Sequence, residues 1–319
     1  MLSGLSMLEM KKKKISINNI ESDILSEVDL ISSVSGGSLA AAYFASSIDP
    51  EQKNSQCDKA ISGRSWNKEE VTNLMSKNYI LPWVGNWFWP DNIFHFWFTT
   101  YDRTDIMAQT FADNLFDIRI AGKNFGKDLN FSQLNPLRPN LVINATRGSA
   151  NFTKEGEKEN SFGQPFTFTE EDFKNIDSSI VGYELSRGVM ASATFPGVFN
   201  FMTLKNFKKE GEYVHLFDGG NSDNLGLTSI KRLIWTLNED KISIDRSRLS
   251  NYEKIIVILV DAYTNASGVS AKKPDPRKWY DFMVDSNFIV AVDSLLSKNR
   301  ENLLTQFETK RIFPYARVC

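Results

Sequence analysis

The sequence predicts an α/β protein with a mostly parallel central sheet that helices cover on both faces. Strand-like and helix-like patterns alternate along the chain, which is typical of strand–helix–strand units packed in layers. The run KIIVILVD at residues 254–261 is rich in β-branched residues and apolar at consecutive positions, as are central strands of parallel sheets. A length of 319 residues with 41% hydrophobic residues is enough to bury one large core.

Each element follows from a local pattern. Short apolar runs predict four strands, at residues 28–34, 141–145, 213–217 and 254–261. Longer helix-prone segments predict four helices, at residues 37–46, 103–115, 182–193 and 228–237. With no internal repeat and no linker-like stretch, we expect residues 1–319 to form a single domain. Its core covers about residues 4–261, and residues 49–100 and 147–164 are irregular insertions.

The first predicted strand ends in a serine on the corner between strand and helix. Residues 28–44 read VDLISSVSGGSLAAAYF, in which a helix-prone, Ala-rich segment follows the apolar run at once. So sharp a turn needs small residues two before and two after the serine, as in Gly-x-Ser-x-Gly. Residues 33–37 (SVSGG) fit this pattern with Ser33 in place of the first glycine. We therefore predict Ser35 as a nucleophile, because the following helix offers N–H groups, that of Gly36 first, to developing negative charge.

A rival reading takes Ser38, within the sequence GGSLA at residues 36–40, as the nucleophile. The apolar strand pattern stops at Val34, so Ser38 would lie about one turn into the helix. A serine hydroxyl at such a position caps the helix or bonds back to its backbone. The strand pattern therefore favours Ser35.

A nucleophilic serine needs a base, and the run YVHLFDGG at residues 213–220 offers two. His215 lies within the predicted strand, on the same face as its neighbours two residues away. Asp218 lies at the strand end, followed by Gly219 and Gly220, which let the backbone turn sharply. A carboxylate within hydrogen-bonding reach of a serine acts as its base, so Asp218 is the predicted partner. The order of residues leaves a Ser/His/acid esterase using His215 open as an alternative.

Composition excludes several other classes of protein. A formal net charge of −2 with 24% charged residues lacks the basic excess of a nucleic-acid-binding protein. The two cysteines, Cys57 and Cys319, form no metal-binding or disulfide-framework spacing. We expect no metal and no cofactor.

Three motifs in a fixed order resemble the patatin-like phospholipases, which are lipid acyl hydrolases with a Ser/Asp dyad. They are SVSGGSLAAAYF at residues 33–44, ASATFPGVF at residues 191–199 and FDGGNSDNLGL at residues 217–227. The resemblance spans roughly residues 4–261. It implies a patatin-like fold, Ser35 as nucleophile and Asp218 as base. It further implies hydrolysis of acyl esters of phospholipids or other lipids through an acyl-enzyme, with Gly36, Gly37, Gly219 and Gly220 as motif glycines.

One departure concerns the start of the chain. The family carries a Gly-Gly-Gly-x-Arg/Lys-Gly loop before its first helix, and this loop supplies oxyanion-binding N–H groups. Residues 4–9 (GLSMLE) resemble the middle of that helix, so we expect an N-terminally truncated chain without the loop. Losing one oxyanion donor costs about 10²–10³ in rate. A catalytically silent lipid-binding protein is therefore a second alternative.

The segment from Tyr79 to Thr99, YILPWVGNWFWPDNIFHFWFT, holds four of the seven tryptophans. Such a density of aromatic residues suits either a satellite core or peripheral contact with a membrane surface. His95 is expected to be a packed neighbour of these rings. No apolar run of about 18 residues predicts a spanning helix, and the N-terminal lysines follow the apolar residues, the reverse of a secretory signal. A cytoplasmic and a peripheral membrane location both stay open.

Overall fold

A computed structural model describes residues 13–17, 20–48, 64–120, 123–149, 161–238, 256–261 and 286–308. The strands are Lys14–Ile17 (β1), Ile20–Asp23 (β2), Leu30–Val34 (β3), Asp117–Ile120 (β4), Lys123–Asp128 (β5), Asn140–Arg147 (β6), Pro165–Phe168 (β7), Met202–Lys205 (β8) and Tyr213–Asp218 (β9). The α-helices are Gly36–Ser46 (α1), Lys68–Met75 (α2), Ile80–Trp87 (α3), Pro90–Phe98 (α4), Arg103–Phe111 (α5), Glu170–Lys174 (α6), Leu185–Ser192 (α7), Gly220–Asp223 (α8), Leu227–Asn238 (α9) and Ser286–Glu308 (α10). A π-helical turn, Ala112–Phe116, extends α5, and a 3₁₀ turn spans Phe131–Gln133.

The central sheet has the strand order β3-β6-β9-β8, and β7 also pairs with β6. Strands β3 and β6 are parallel, whereas β6 pairs antiparallel with β7 and β9, and β8 with β9. A short connection, residues 206–212, joins β8 to β9, and connections of this length join antiparallel strands. The predicted α/β class is confirmed, with a sheet that is mixed over the described strands. The hairpins β1–β2 and β4–β5 form two further small sheets.

Alternation along β6 places helices on both faces of the sheet. Ile143 and Ala145 belong to the main hydrophobic core, together with residues of α1 and α7. Asn144 and Thr146 point to the other face, where their side chains bond to Ser229 of α9 and Ser222 of α8. The sheet thus lies between two layers of helices, as the sequence predicts.

The run at residues 254–261 is not the central strand that the sequence predicts. Its described part, residues 256–261, forms no strand. Three of its apolar side chains are exposed: Ile256, Ile258 and Val260. The alternate residues Val257 and Leu259 pack against a separate small cluster around Leu227 and Leu303. One face of the run is thus partly buried and the other is exposed, a difference that a run of consecutive apolar residues does not reveal.

The predicted insertion at residues 49–100 is more regular than expected. Its described part from residue 64 contains the helices α2, α3 and α4. Asn67 caps α2 by accepting the Glu70 N–H, and Pro90 occupies the first turn of α4, where its missing N–H is no loss. The other predicted insertion, residues 147–164, lies largely outside the described residues, as does the N-terminal segment up to residue 12. Within the described part, no helix is long and apolar enough to span a bilayer.

Candidate active site

Ser35 occupies the corner between β3 and α1. Its backbone has φ 51° and ψ −133°, a conformation that non-glycine residues rarely adopt. Ser33, two residues earlier, is buried, and its hydroxyl donates to the Val142 carbonyl on β6 at 3.2 Å. The serine in place of the motif glycine is therefore accommodated by a hydrogen bond inside the sheet.

Asp218 is the last residue of β9, and its side chain meets Ser35. The Ser35 Oγ donates to Asp218 Oδ2 at 2.7 Å, across 183 positions of sequence. The other carboxylate oxygen, Oδ1, accepts the Gly220 N–H at 2.8 Å. The structure thus places the two predicted site residues in direct contact, with both carboxylate oxygens occupied.

Strand register explains why these residues meet. Val34 pairs with Asn144 on β6, and Asp218 pairs with the next β6 residue, Ala145. The elbow after β3 and the end of β9 therefore lie at the same level along β6, on its two sides. This register brings the Ser35 hydroxyl and the Asp218 carboxylate together.

Burial controls the charge state of Asp218. The residue is 2% exposed, and desolvation raises the pKa of its carboxyl from 3.8 to about 6. The hydrogen bonds from Ser35 and Gly220 oppose this increase because they stabilise the ionised form. The carboxylate is consequently more basic than an exposed aspartate and is still ionised at neutral pH.

Gly219 is required by a close approach of two backbones. A Cβ atom at this position would lie 2.2 Å from the Asn144 carbonyl oxygen, well inside van der Waals contact. Gly220 is less restricted, since its nearest neighbours are side-chain oxygens at 3.0 and 3.1 Å. The first glycine of the DGG sequence therefore lets Asp218 approach β6 closely, beyond the turning role that the sequence predicts.

The rival serine, Ser38, is fully buried inside α1. Its hydroxyl lies 3.0 Å from the Ser192 Oγ, so it bonds to a neighbouring helix and not to its own backbone. The prediction that Ser38 falls within the helix is confirmed by the bounds of α1.

His215 faces away from the Ser35–Asp218 pair. Exposure alternates along β9, with His215 partly exposed and its neighbours Val214 and Leu216 buried. Its Nδ1 lies 2.9 Å from the Thr203 Oγ1, and its ring packs against Phe201. His215 therefore lacks the contact with Ser35 that the alternative Ser/His/acid mechanism requires. His95, as expected, packs among aromatic rings, those of Phe94 and Tyr101.

Three polar residues around the pair were not assigned roles from the sequence. Ser192 accepts the Ser35 N–H at 2.8 Å, and Thr146 donates to the Asp218 carbonyl at 2.8 Å. Asn144 donates to the Ser33 carbonyl at 2.9 Å. Ser192 lies in the ASATFPGVF motif, which marks the segment but does not indicate which of its atoms bond to the elbow.

The start of α1 provides N–H groups beside the Ser35 hydroxyl. The first N–H groups of a helix have no partner within the helix, and in α1 these include the N–H groups of Gly36 and Gly37. No acidic residue lies in the first turn of α1 to bind them. These amides are suited to an anionic oxygen that forms next to Ser35.

A cavity of about 400 Å³ lies elsewhere, lined in part by Arg147, Ser229 and Arg232. Neither Ser35 nor Asp218 lines it, and the Arg232 guanidinium in it is paired with Asp172 at 3.2 Å. This cavity is therefore not the space in which a molecule would react with Ser35. Within the described residues, no group of three or more His, Cys, Asp or Glu side chains is placed to hold a metal ion.

A serine on a strand-to-helix elbow, hydrogen-bonded to a buried carboxylate in a mixed α/β sheet, is the arrangement of a serine hydrolase. Residues 5–230 match the family model of the patatin-like phospholipases, and the chain belongs to that family. Membership indicates hydrolase activity on lipid substrates. Searches of curated proteins and of solved structures found no match.

Proposed function

We propose that the protein hydrolyses acyl ester bonds of phospholipids or other lipids with Ser35 as nucleophile and Asp218 as base. The observation that carries the proposal is the 2.7 Å hydrogen bond from the Ser35 hydroxyl to a buried carboxylate of raised pKa. Family membership supports the lipid substrate class.

The steps follow from the geometry. Ser35 Oγ attacks the ester carbonyl carbon while Asp218 Oδ2 takes the hydroxyl proton. The resulting oxyanion lies next to the N-terminus of α1, where the Gly36 and Gly37 N–H groups stabilise negative charge. Collapse of this intermediate expels the alcohol, which takes a proton from Asp218, and leaves the acyl group on Ser35. Water, deprotonated by the same carboxylate, then releases the fatty acid and restores the serine.

The test is labelling with a fluorophosphonate probe, with mass spectrometry to locate the adduct. We expect an adduct on Ser35 and release of fatty acid from phosphatidylcholine, both lost in Ser35→Ala. Asp218→Asn should lower the rate of both reactions by about 10²–10⁴, the usual contribution of a general base. Ser46→Ala is the matched control, because it removes a buried serine hydroxyl from α1 that bonds to the Tyr43 carbonyl and not to the Ser35–Asp218 pair. Labelling that persists in Ser35→Ala, or its absence from the folded wild-type protein, would refute the proposal.

We further propose that helices α3 and α4, termed here the aromatic hairpin, contact a lipid surface. Their outer side exposes apolar side chains almost without interruption: Ile80, Leu81, Phe88, Trp89, Phe94, Phe96, Trp97 and Phe98. Between Asn78 and Thr100, Asp91 is the only carboxylate and no lysine or arginine occurs. An apolar patch of this extent marks an interaction site, and exposed Trp and Phe side chains partition into the bilayer interface.

The inner side of the aromatic hairpin connects this surface to the candidate site. Trp83 is buried, and its indole N–H donates to the Arg103 carbonyl at 2.8 Å. Its ring packs against Phe199, at 4.9 Å between ring centroids, and Phe199 ends the motif segment that contains Ser192. A bilayer in contact with the hairpin would therefore lie close to the segment that borders the Ser35–Asp218 pair.

Sedimentation with phosphatidylcholine vesicles tests this contact. Trp97 is 73% exposed, and burying an aromatic side chain contributes about 1.5–3 kcal/mol, so Trp97→Ser should weaken binding at least about 10-fold. Phe207→Ser, at a 58% exposed position outside the hairpin, is the control. Activity on a water-soluble ester should be unchanged in both variants. Binding of Trp97→Ser at the wild-type level would contradict the lipid contact.

A further inference from the structure

Ser192 lies between the serine elbow and β6. It is the last residue of α7 and is fully buried. Three polar atoms surround its hydroxyl: the Ser35 amide nitrogen at 2.8 Å, the Asn144 carbonyl oxygen at 2.6 Å and the Ser38 Oγ at 3.0 Å. A buried hydroxyl with three partners is a fixed connection between elements and does not rotate freely.

The direction of each hydrogen bond follows from the chemistry of the partners. A carbonyl oxygen only accepts, so the single hydroxyl hydrogen of Ser192 is donated to Asn144. The Ser35 N–H only donates, and the Ser192 oxygen accepts it. Ser38 must then donate to the remaining lone pair of Ser192. All the hydrogen-bonding capacity of the Ser192 hydroxyl is thus used to join α1, α7 and β6.

The backbone around Ser192 bonds to the other half of the site. The Ser192 carbonyl accepts the Gly219 N–H at 3.1 Å, and the Thr194 carbonyl accepts the Asp218 N–H at 3.0 Å. A segment of three residues therefore holds the backbone of the nucleophile through a side chain and the backbone of the base through two carbonyls.

The bond to Ser35 restrains an unfavourable conformation. A serine at φ 51° and ψ −133° relaxes unless its surroundings hold it, because this region suits glycine better than other residues. The Ser35 nitrogen is one of the atoms that define φ, and the Ser192 Oγ accepts the hydrogen bond from its N–H. Loss of the Ser192 oxygen would free the Ser35 backbone to rotate and move its Oγ away from the Asp218 carboxylate.

We propose that Ser192 is a positioning residue, which sets the direction of the Ser35 hydroxyl by holding the Ser35 amide. The inference rests on the proposed function of Ser35 and Asp218. It predicts that removal of the Ser192 hydroxyl slows the chemical step while substrate binding is maintained, because this hydroxyl is fully buried and its hydrogen bonds go to protein groups. A misplacement of about 1 Å at a reacting group lowers rates by about 100-fold.

The experiment measures kcat and KM on a water-soluble ester together with the rate constant for fluorophosphonate labelling at Ser35. Ser192→Ala should lower kcat and the labelling rate constant by about 10- to 100-fold and leave KM within about twofold. Ser186→Ala removes another buried serine hydroxyl from the same helix and should react at the wild-type rate. The labelling rate constant is measured on protein that circular dichroism shows to be fully folded, so a role confined to stability would not change it.

Ser192→Cys gives a second test if the alanine variant does not fold, because it keeps the side-chain shape and weakens the hydrogen bonds. It too should label more slowly than wild type. Wild-type labelling rates in Ser192→Cys, or in a folded Ser192→Ala, would overturn the positioning role alone. If wild-type protein is not labelled at Ser35, the proposed function fails, and this inference fails with it.

Discussion

Replacing Asp218 by asparagine should make the protein more stable at neutral pH while it removes activity. The carboxyl is buried, and desolvation raises its pKa from 3.8 to about 6. A group of this kind stabilises the folded state below its unfolded pKa, and the contribution is lost as the pH rises through the folded pKa. Asparagine keeps the shape of the side chain and carries no charge to desolvate.

The size of the effect follows from the shift of 2.2 pKa units, from 3.8 to about 6. At about 1.36 kcal/mol per unit, ionised Asp218 costs the folded state about 3 kcal/mol at pH 8. At pH 5 the carboxyl is mostly protonated in the folded state, and the same linkage gives a cost to the folded state of about 1.5 kcal/mol. The asparagine oxygen can accept the Gly220 N–H, and its amide can donate to the Ser35 Oγ, so both native contacts have a replacement.

Urea denaturation of wild type and Asp218→Asn at pH 5 and pH 8 is the assay. The variant should have the larger free energy of unfolding at both values, with a gain about twice as large at pH 8. Asp29→Asn is the control: the residue is exposed, so its carboxylate carries little desolvation cost, and the substitution should change the free energy of unfolding by less than about 0.5 kcal/mol at both pH values. A gain that does not change with pH, or a less stable Asp218→Asn protein at pH 8, would refute the reasoning.

Three further predictions follow from the site. The pH profile of kcat/KM should fall about tenfold per unit below pH 6 and level off above it, because the base must be ionised and the pKa of Asp218 is raised to about 6; a midpoint near 4 would contradict the burial argument. His215→Gln should leave kcat/KM within about threefold, because His215 faces away from the Ser35–Asp218 pair and bonds to Thr203; a loss of about 10²-fold or more, the usual effect of removing a general base, would favour the histidine mechanism. Gly219→Ala should lower the free energy of unfolding by about 1–3 kcal/mol or more through its contact with the β6 backbone, whereas Gly36→Ala, with open space at its Cβ position, should not; equal denaturation midpoints for the two variants would show that the turn adjusts.

Local pattern was sufficient where a single segment carries the information. The apolar run into Ser35 and the Ala-rich helix after it predict a strand-to-helix elbow, and the structure has β3 ending at Val34 and α1 beginning at Gly36. Alternation along residues 213–217 predicts that His215 lies on one face of its strand, which the exposure along β9 confirms. The helices α3 and α4 were missed because Pro and Asn interrupt the aromatic segment, although Pro90 in fact begins α4.

Short-range sequence patterns specify turns and strand ends, so they were enough to predict a serine on a sharp corner and a carboxylate at the end of a strand. Tertiary structure alone decided that the two meet, since the registers Val34 with Asn144 and Asp218 with Ala145 join segments 183 positions apart. It also decided the raised pKa of Asp218 and the three bonds of the Ser192 hydroxyl. Both depend on burial and on contacts between distant segments, which no local pattern of residues contains.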